Sequence, residues 1–158
     1  MKKGFTFIEL LIYLGIVSIV LSSLVQFAWN AVGGGIKSNT EQEVYATARY
    51  VSERIKYEIR NAKSLTSVSG TSISYVDVDG TSSTIAVSGT KIQINKGSAI
   101  NLNSTDTNAS ITFTDYSSTD TKTKHVGFIL TVQSNYGSTR QEYIDSVSLR
   151  GSAEMRSN

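Results

Sequence analysis

The distribution of apolar and polar positions divides the chain into three stretches. Residues 5–28 read FTFIELLIYLGIVSIVLSSLVQFA, apolar on every side, with Glu9 as the one charged side chain. A helix of that length spans roughly 36 Å, enough to cross a hydrocarbon core of about 30 Å with some tilt. Residues 38–63 change character. Val44, Ala48, Val51, Ile55, Ile59 and Ala62 recur at steps of three or four, one apolar stripe among charges such as Arg49, Glu53, Arg54, Lys56, Glu58 and Arg60. That spacing predicts an amphipathic helix packed on another element, with Ser38, Asn39 or Thr40 as its cap and the charges on a solvated face.

Beyond Lys63 the period falls to two. Short alternating runs at 73–78, 84–87, 91–94, 111–114, 126–132 and 143–149 are separated by Gly, Asn, Asp and Ser clusters, as strands and turns require. Ser88-Gly89-Thr90 and Asp79-Gly80 read as tight hairpin turns. A helix followed by strands predicts an α+β fold with an antiparallel sheet, and residues 151–158 read as a flexible tail. Gly33-Gly34-Gly35 lies between the two helical patterns. Each glycine costs a helix about 0.8–1 kcal/mol relative to alanine, so a hinge or break is expected over residues 33–37.

Composition narrows the function. The chain has 158 residues and no Cys, which excludes disulfides, thiolate metal sites and a lipoprotein signal; Pro is absent as well. The formal charge is +2, and setting aside Lys2 and Lys3 leaves 13 basic against 13 acidic side chains. No clustered basic face points to nucleic acid. Lys2 and Lys3 ahead of the apolar run put the N-terminus in the cytoplasm and the remainder outside. A cleaved secretory signal would have an apolar region of about 7–15 residues, free of charge and ending in a small-x-small site. This one is longer, contains Glu9 and ends in Phe27-Ala28-Trp29. A plain membrane anchor would gain nothing from Glu9, because a carboxylate near the middle of a membrane helix costs about 2.5–3.5 kcal/mol on insertion scales.

Lys2-Lys3-Gly4-Phe5-Thr6-Phe7-Ile8-Glu9-Leu10-Leu11 resembles the class III leader and methylation motif of type IV pilins and type II secretion pseudopilins. The resemblance covers about the first thirty residues. It implies that residues 1–4 are a leader and that a prepilin peptidase cuts after Gly4 and methylates the new N-terminal Phe5. It gives Glu9 a role in docking the subunit into a filament. It further implies residues 5–32 as a transmembrane and assembly helix, residues 38–63 as its amphipathic continuation and residues 64–150 as an extracytoplasmic β-rich domain. The implied partners are the prepilin peptidase, other pilin or pseudopilin subunits, an inner-membrane assembly platform and, before assembly, membrane lipid. No cofactor is implied. The cut would free an α-ammonium at Phe5, one helical turn from Glu9, as a partner for its carboxylate. Arg54, Glu58, Arg60 and Ala62 resemble the amphipathic stretch of J-type minor pseudopilins and W-type minor pilins. The Pro that many major pilins carry in the second half of this helix is absent. The alternative is a signal-anchored extracytoplasmic binding module that never polymerises.

Other patterns bear on chemistry. Val76-Asp77-Val78-Asp79-Gly80-Thr81 resembles the nucleophile loop of haloacid dehalogenase-type phosphatases, but no βαβ pattern surrounds it and a hairpin turn is expected instead. His125 is the one histidine, so a zinc site is not expected. Asn103-Ser104-Thr105 and Asn108-Ala109-Ser110 match the glycosylation acceptor pattern, which arises readily by chance in a chain rich in Ser, Thr and Asn. The expectation is a structural subunit without enzymatic activity.

Overall fold

A computed structural model describes residues 4–118 and 124–155. Helix α1, Phe7–Asn61, is a single rod of 55 residues, about 82 Å long. Eight strands follow: β1 (Ser64–Val68), β2 (Ser72–Val76), β3 (Ser82–Ser88), β4 (Lys91–Asn95), β5 (Ala99–Asn101), β6 (Thr107–Asp115), β7 (His125–Ser134) and β8 (Ser146–Glu154). They form two antiparallel sheets, one ordered β1-β2-β3-β4-β5 and one ordered β6-β7-β8. The α+β arrangement expected from the patterning is present, with two sheets where one was anticipated.

The predicted stripe is the helix's half of the core. Val44, Ala48, Val51 and Ile55 are fully buried, and Ile59 and Ala62 nearly so. They join Ile73, Tyr75, Ile85, Ile92 and Ile94 from the first sheet with Ile111, Phe113, Val126, Phe128, Leu130, Val132 and Val147 from the second in one cluster. Alternation explains the strand contributions: in β6, positions 107, 109, 111 and 113 point inward and those between them point out. The sheets are tied where β6 meets the turns of the first sheet, through Ala109 N–H to the Thr90 carbonyl (2.9 Å) and Phe113 N–H to the Gly70 carbonyl (2.8 Å).

Four expectations need correction. The helix runs unbroken through Gly33-Gly34-Gly35. A break would forfeit several backbone hydrogen bonds and require a second costly nucleation, whereas propagation adds a bond per residue. The helix is also clamped just beyond: Lys37 Nζ donates to the Ile144 carbonyl (2.7 Å), and Thr40 Oγ1 to the Glu142 carbonyl (3.1 Å). The final strand is displaced. Gln141–Tyr143 forms a 3-10 turn and β8 begins at Ser146, because Lys37 and Thr40 hold residues 142–145 against the helix. The expected tail is strand as far as Glu154: Ala153 is buried, and Gly151 lies under the Phe128 ring, where an added Cβ would collide with the ring. Residues 156–158 lie outside the described residues. Lastly β1 and β5, too polar or too short to show a period, pair with β2 and β4 and complete the first sheet.

The hairpin turns stand as expected. Gly89 has a φ of +62° at the first position of the two-residue loop joining β3 to β4. Gly80 has a φ of +86° between β2 and β3. Both are left-handed conformations that glycine alone adopts freely.

Candidate processing and assembly site

At the N-terminal end, Gly4, Phe5 and Thr6 precede the helix and are exposed. Thr6 is the cap: its backbone is extended and its Oγ1 accepts the Glu9 N–H at 3.3 Å. The spacing Thr6-x-x-Glu9 is that of a capping box, a signal in the sequence that the reading above did not use. Its effect is to fix where the helix begins, leaving the Gly4–Phe5 peptide bond outside it. Phe5 is 74% exposed, with its ring edge-on to Tyr13 at 5.9 Å between centroids. Among the described residues no hydrogen bond or ion pair joins Phe5 to Glu9, nor does the Glu9 carboxylate meet any cation. Within this chain the nitrogen of Phe5 is an amide and offers Glu9 no cation. Lys2 and Lys3 lie outside the described residues.

From Phe7 onward the helix offers apolar side chains to every direction. Leu10, Ile12, Leu14, Ile16, Ile19, Leu21 and Leu24 are all more than half exposed, and none of the most apolar stretch is buried in the chain's own body. Its serine hydroxyls are satisfied internally. Ser18 and Ser22 donate to the carbonyls of Leu14 and Ser18 (2.7 and 2.8 Å), and Ser23 donates to that of Val20 (2.8 Å). This is the condition a helix must meet in lipid, where no water can take the bond. Trp29, exposed, stands near the end of the run, where an amphipathic ring sits well at a membrane surface. Among the described residues this is the one helix long and apolar enough to cross a membrane, and it fits a membrane-anchoring segment.

The other end of α1 corrects one member of the expected solvated face, Glu58, which lies inside the body. Glu58 is 2% exposed. It sits three residues after Ile55 and four before Ala62, on the apolar stripe itself, which is the signal that would have found it. Arg54 approaches its Oε1 (2.8 Å), Lys96 its Oε2 (2.8 Å), and the Tyr75 hydroxyl donates to Oε2 (3.1 Å). Lys96 also pairs closely with Asp77. The group ties the helix to β2 and to the end of β4. The hydrogen bond from Lys96, and then the Val78 N–H, hold the Asp77 carboxyl below its usual range. Burial pulls the Lys96 ammonium down, but its hydrogen bonds to Asp77 and Glu58 outweigh this and raise it. Burial, then the neighbouring Glu58 charge, pushes the Tyr75 hydroxyl well up.

Asp77 and Asp79 are thereby accounted for. Asp77 Oδ1 accepts the Val78 N–H (2.9 Å), and Asp79 Oδ1 the Thr81 N–H (2.8 Å), around the Gly80 turn. Both carboxylates serve a hairpin, and the next described element is strand β3. Among the described residues no group of three or more His, Asp or Glu is arranged to hold a metal ion. Asn103 is buried with its amide fully engaged. Oδ1 accepts the Ile92 N–H (2.9 Å), and Nδ2 donates to the carbonyls of Thr90 (3.2 Å) and Thr107 (2.8 Å). It is a brace between β4 and β6, not an accessible glycan acceptor.

Compared with known families, residues 1–25 match the prokaryotic N-terminal methylation motif. Searches of curated proteins and of solved structures found no match. The chain therefore carries a prepilin N-terminal methylation motif at the head of one long apolar helix. With the α+β body behind it, this makes a pilin-like structural module.

Proposed function

We propose that the protein is a minor pilin or pseudopilin subunit: cut after Gly4 by a prepilin peptidase, methylated on Phe5, and drawn from the inner membrane into a filament by an assembly platform. The observation that carries this reading is the methylation motif on a helix whose first half is left wholly uncovered by its own body. Lipid covers that surface in the stored subunit, and the helices of neighbouring subunits cover it in the filament. The N-terminus is cytoplasmic and the β-rich body extracytoplasmic. The minor-subunit assignment rests on the likeness of Arg54, Glu58, Arg60 and Ala62 to J- and W-type subunits and on the missing helix proline.

In the assembled state Glu9 meets the Phe5 ammonium of its own chain or of a neighbour. In lipid an unpaired carboxylate is unfavourable, so this pairing biases the subunit toward the filament. Two experiments test the proposal. The intact mass of protein from host membranes is expected to correspond to a chain beginning at Phe5 with one added methyl group; a chain retaining residues 1–4 in a host with active peptidase would leave a signal-anchored module instead. Glu9→Ala is expected to be cut normally and to co-purify poorly with partner subunits. Unchanged recovery of partners would remove the role given to Glu9.

A further inference from the structure

The outward face of the β6-β7-β8 sheet carries a depression beside Tyr116 and Arg150. Tyr116, just past β6, lays its ring over Gly127 of β7: a Cβ at Gly127 would stand 2.6 Å from Tyr116 Cε2. The backbone on either side of the ring is anchored. The Tyr116 N–H donates to the His125 carbonyl (2.8 Å), and Asp115 Oδ1 accepts the Ser117 N–H (2.8 Å) across Tyr116. Tyr116 is 65% exposed, so much of the ring is open to solvent. The His125 ring stands edge-on beside it, with centroids 6.1 Å apart. Arg150 of β8 lies opposite Ile129 on the same face and makes no ion pair among the described residues. These side chains, with Thr114 and Ser152, line a depression of about 310 Å³.

Each part has a chemical preference. The open face of an aromatic ring carries negative charge density and favours polarised C–H bonds laid against it. A guanidinium without an internal partner matches a carboxylate bidentately. Hydroxyls from Thr112, Thr114 and Ser152 on the exposed positions of β6 and β8 offer both donors and acceptors. The volume lies at the small end for ligand pockets and suits one or two sugar rings. A polyphosphate strand would need a row of cations. Among the described residues lining the depression Arg150 is the one Lys or Arg, and Glu154, opposite His125, places a carboxylate on the same face.

We propose that this depression binds an acidic saccharide, with a hexuronate ring stacked on Tyr116 and its carboxylate held by Arg150. The proposal needs only the folded body and does not depend on filament assembly. The test uses the full chain in lipid nanodiscs and disaccharides of galacturonate, glucuronate and mannuronate, with neutral galactose, glucose and mannose disaccharides beside them, read by saturation-transfer NMR and calorimetry. At least one uronate is expected to bind saturably and about tenfold or more tighter than its neutral counterpart. Arg150→Gln and Tyr116→Ala are each expected to weaken it by about tenfold or more, whereas Tyr116→Phe stays within about twofold. Should Tyr116→Ala lose its fold by circular dichroism, Arg150→Gln and Tyr116→Phe decide the matter. Absence of uronate binding, equal binding of neutral sugars, or indifference to Arg150→Gln would each overturn the proposal. So would tighter binding of a single-stranded oligothymidylate through the same two residues.

Discussion

The two halves of α1 are one continuous helix with opposite relations to the rest of the chain. In the first half the most apolar stretch is 0% buried among the described residues. From Thr40 to Ile59 a full stripe is sealed against the sheets. The halves thus draw their stability from different sources. The second half is held by its own body, and the first by whatever surrounds it, lipid or other helices. A substitution in one half should affect folding, and the same chemical change in the other should affect insertion or assembly.

Ile55→Ala and Ile16→Ala test that contrast with the largest effect. Ile55 is fully buried in the cluster to which both sheets contribute, so its truncation is expected to cost about 2–5 kcal/mol of the body's stability. Ile16 is 54% exposed, and its truncation is expected to leave the body's denaturation midpoint unchanged. Urea titrations in detergent, followed by near-ultraviolet circular dichroism, would compare them. Equal losses would mean that the membrane half packs on the body after all.

Glu58→Ala probes the packed half by its polar content. Removal leaves Lys96, Arg54 and the Tyr75 hydroxyl short of an acceptor. Arg54 and Lys96 are 43% and 33% exposed and can turn to water, so the loss is expected to be about 1–3 kcal/mol, below that for a fully enclosed pair. Glu58→Gln should recover part of it by keeping the Tyr75 hydrogen bond. A neutral or stabilising Glu58→Ala would show that the buried carboxylate contributes nothing to joining helix and sheet.

What could be read in advance follows this division. The apolar run, the stripe and most strands were legible because period and burial agree there: every stripe position from Val44 to Ala62 is buried. The motif around Gly4, Phe5 and Glu9 was legible because its residue types are unusual in a membrane helix. The position of Glu58 on the stripe was legible but its partners were not, since Tyr75 and Lys96 are distant in sequence. The triglycine misled because intrinsic propensity is local, whereas helix continuity there is secured by a clamp from Lys37 to residues 144 and 145. The Tyr116–Gly127 contact left no sequence signal, because it depends on the register that sets Gly127 opposite Thr114.

The junction between the halves gives a smaller effect. An added Cβ at Gly33, Gly34 or Gly35 would meet nothing within 4 Å. Gly34→Ala is therefore expected to stabilise the local helix by about 0.8–1 kcal/mol, slowing amide exchange there about fivefold. Unchanged exchange would place the local opening elsewhere along the rod.

The smallest expected effect is the pH dependence of the Asp77–Lys96 pair. Asp77 is depressed, so its contribution is present above the unfolded carboxyl value of about 3.9 and is lost as pH falls through the lower folded value. Lys96 is raised, so its contribution is present below about 10.4 and is lost as pH rises through the higher folded value. Between those limits the pair contributes fully, and because both side chains are partly open to water the amount is about 1 kcal/mol or less. Asp77→Asn should therefore flatten the acid limb of a midpoint-against-pH curve only in part. Asp115, lowered by hydrogen bonds from Ser117, and Glu53, lowered by its hydrogen bond from Lys56, keep theirs. Lys96→Met should flatten the alkaline limb and, by removing Asp77's partner, part of the acid one. If Lys96→Met altered neither limb, Lys96 would be a solvated side chain, and the helix would be held to the first sheet by its apolar stripe and the Tyr75–Glu58 hydrogen bond.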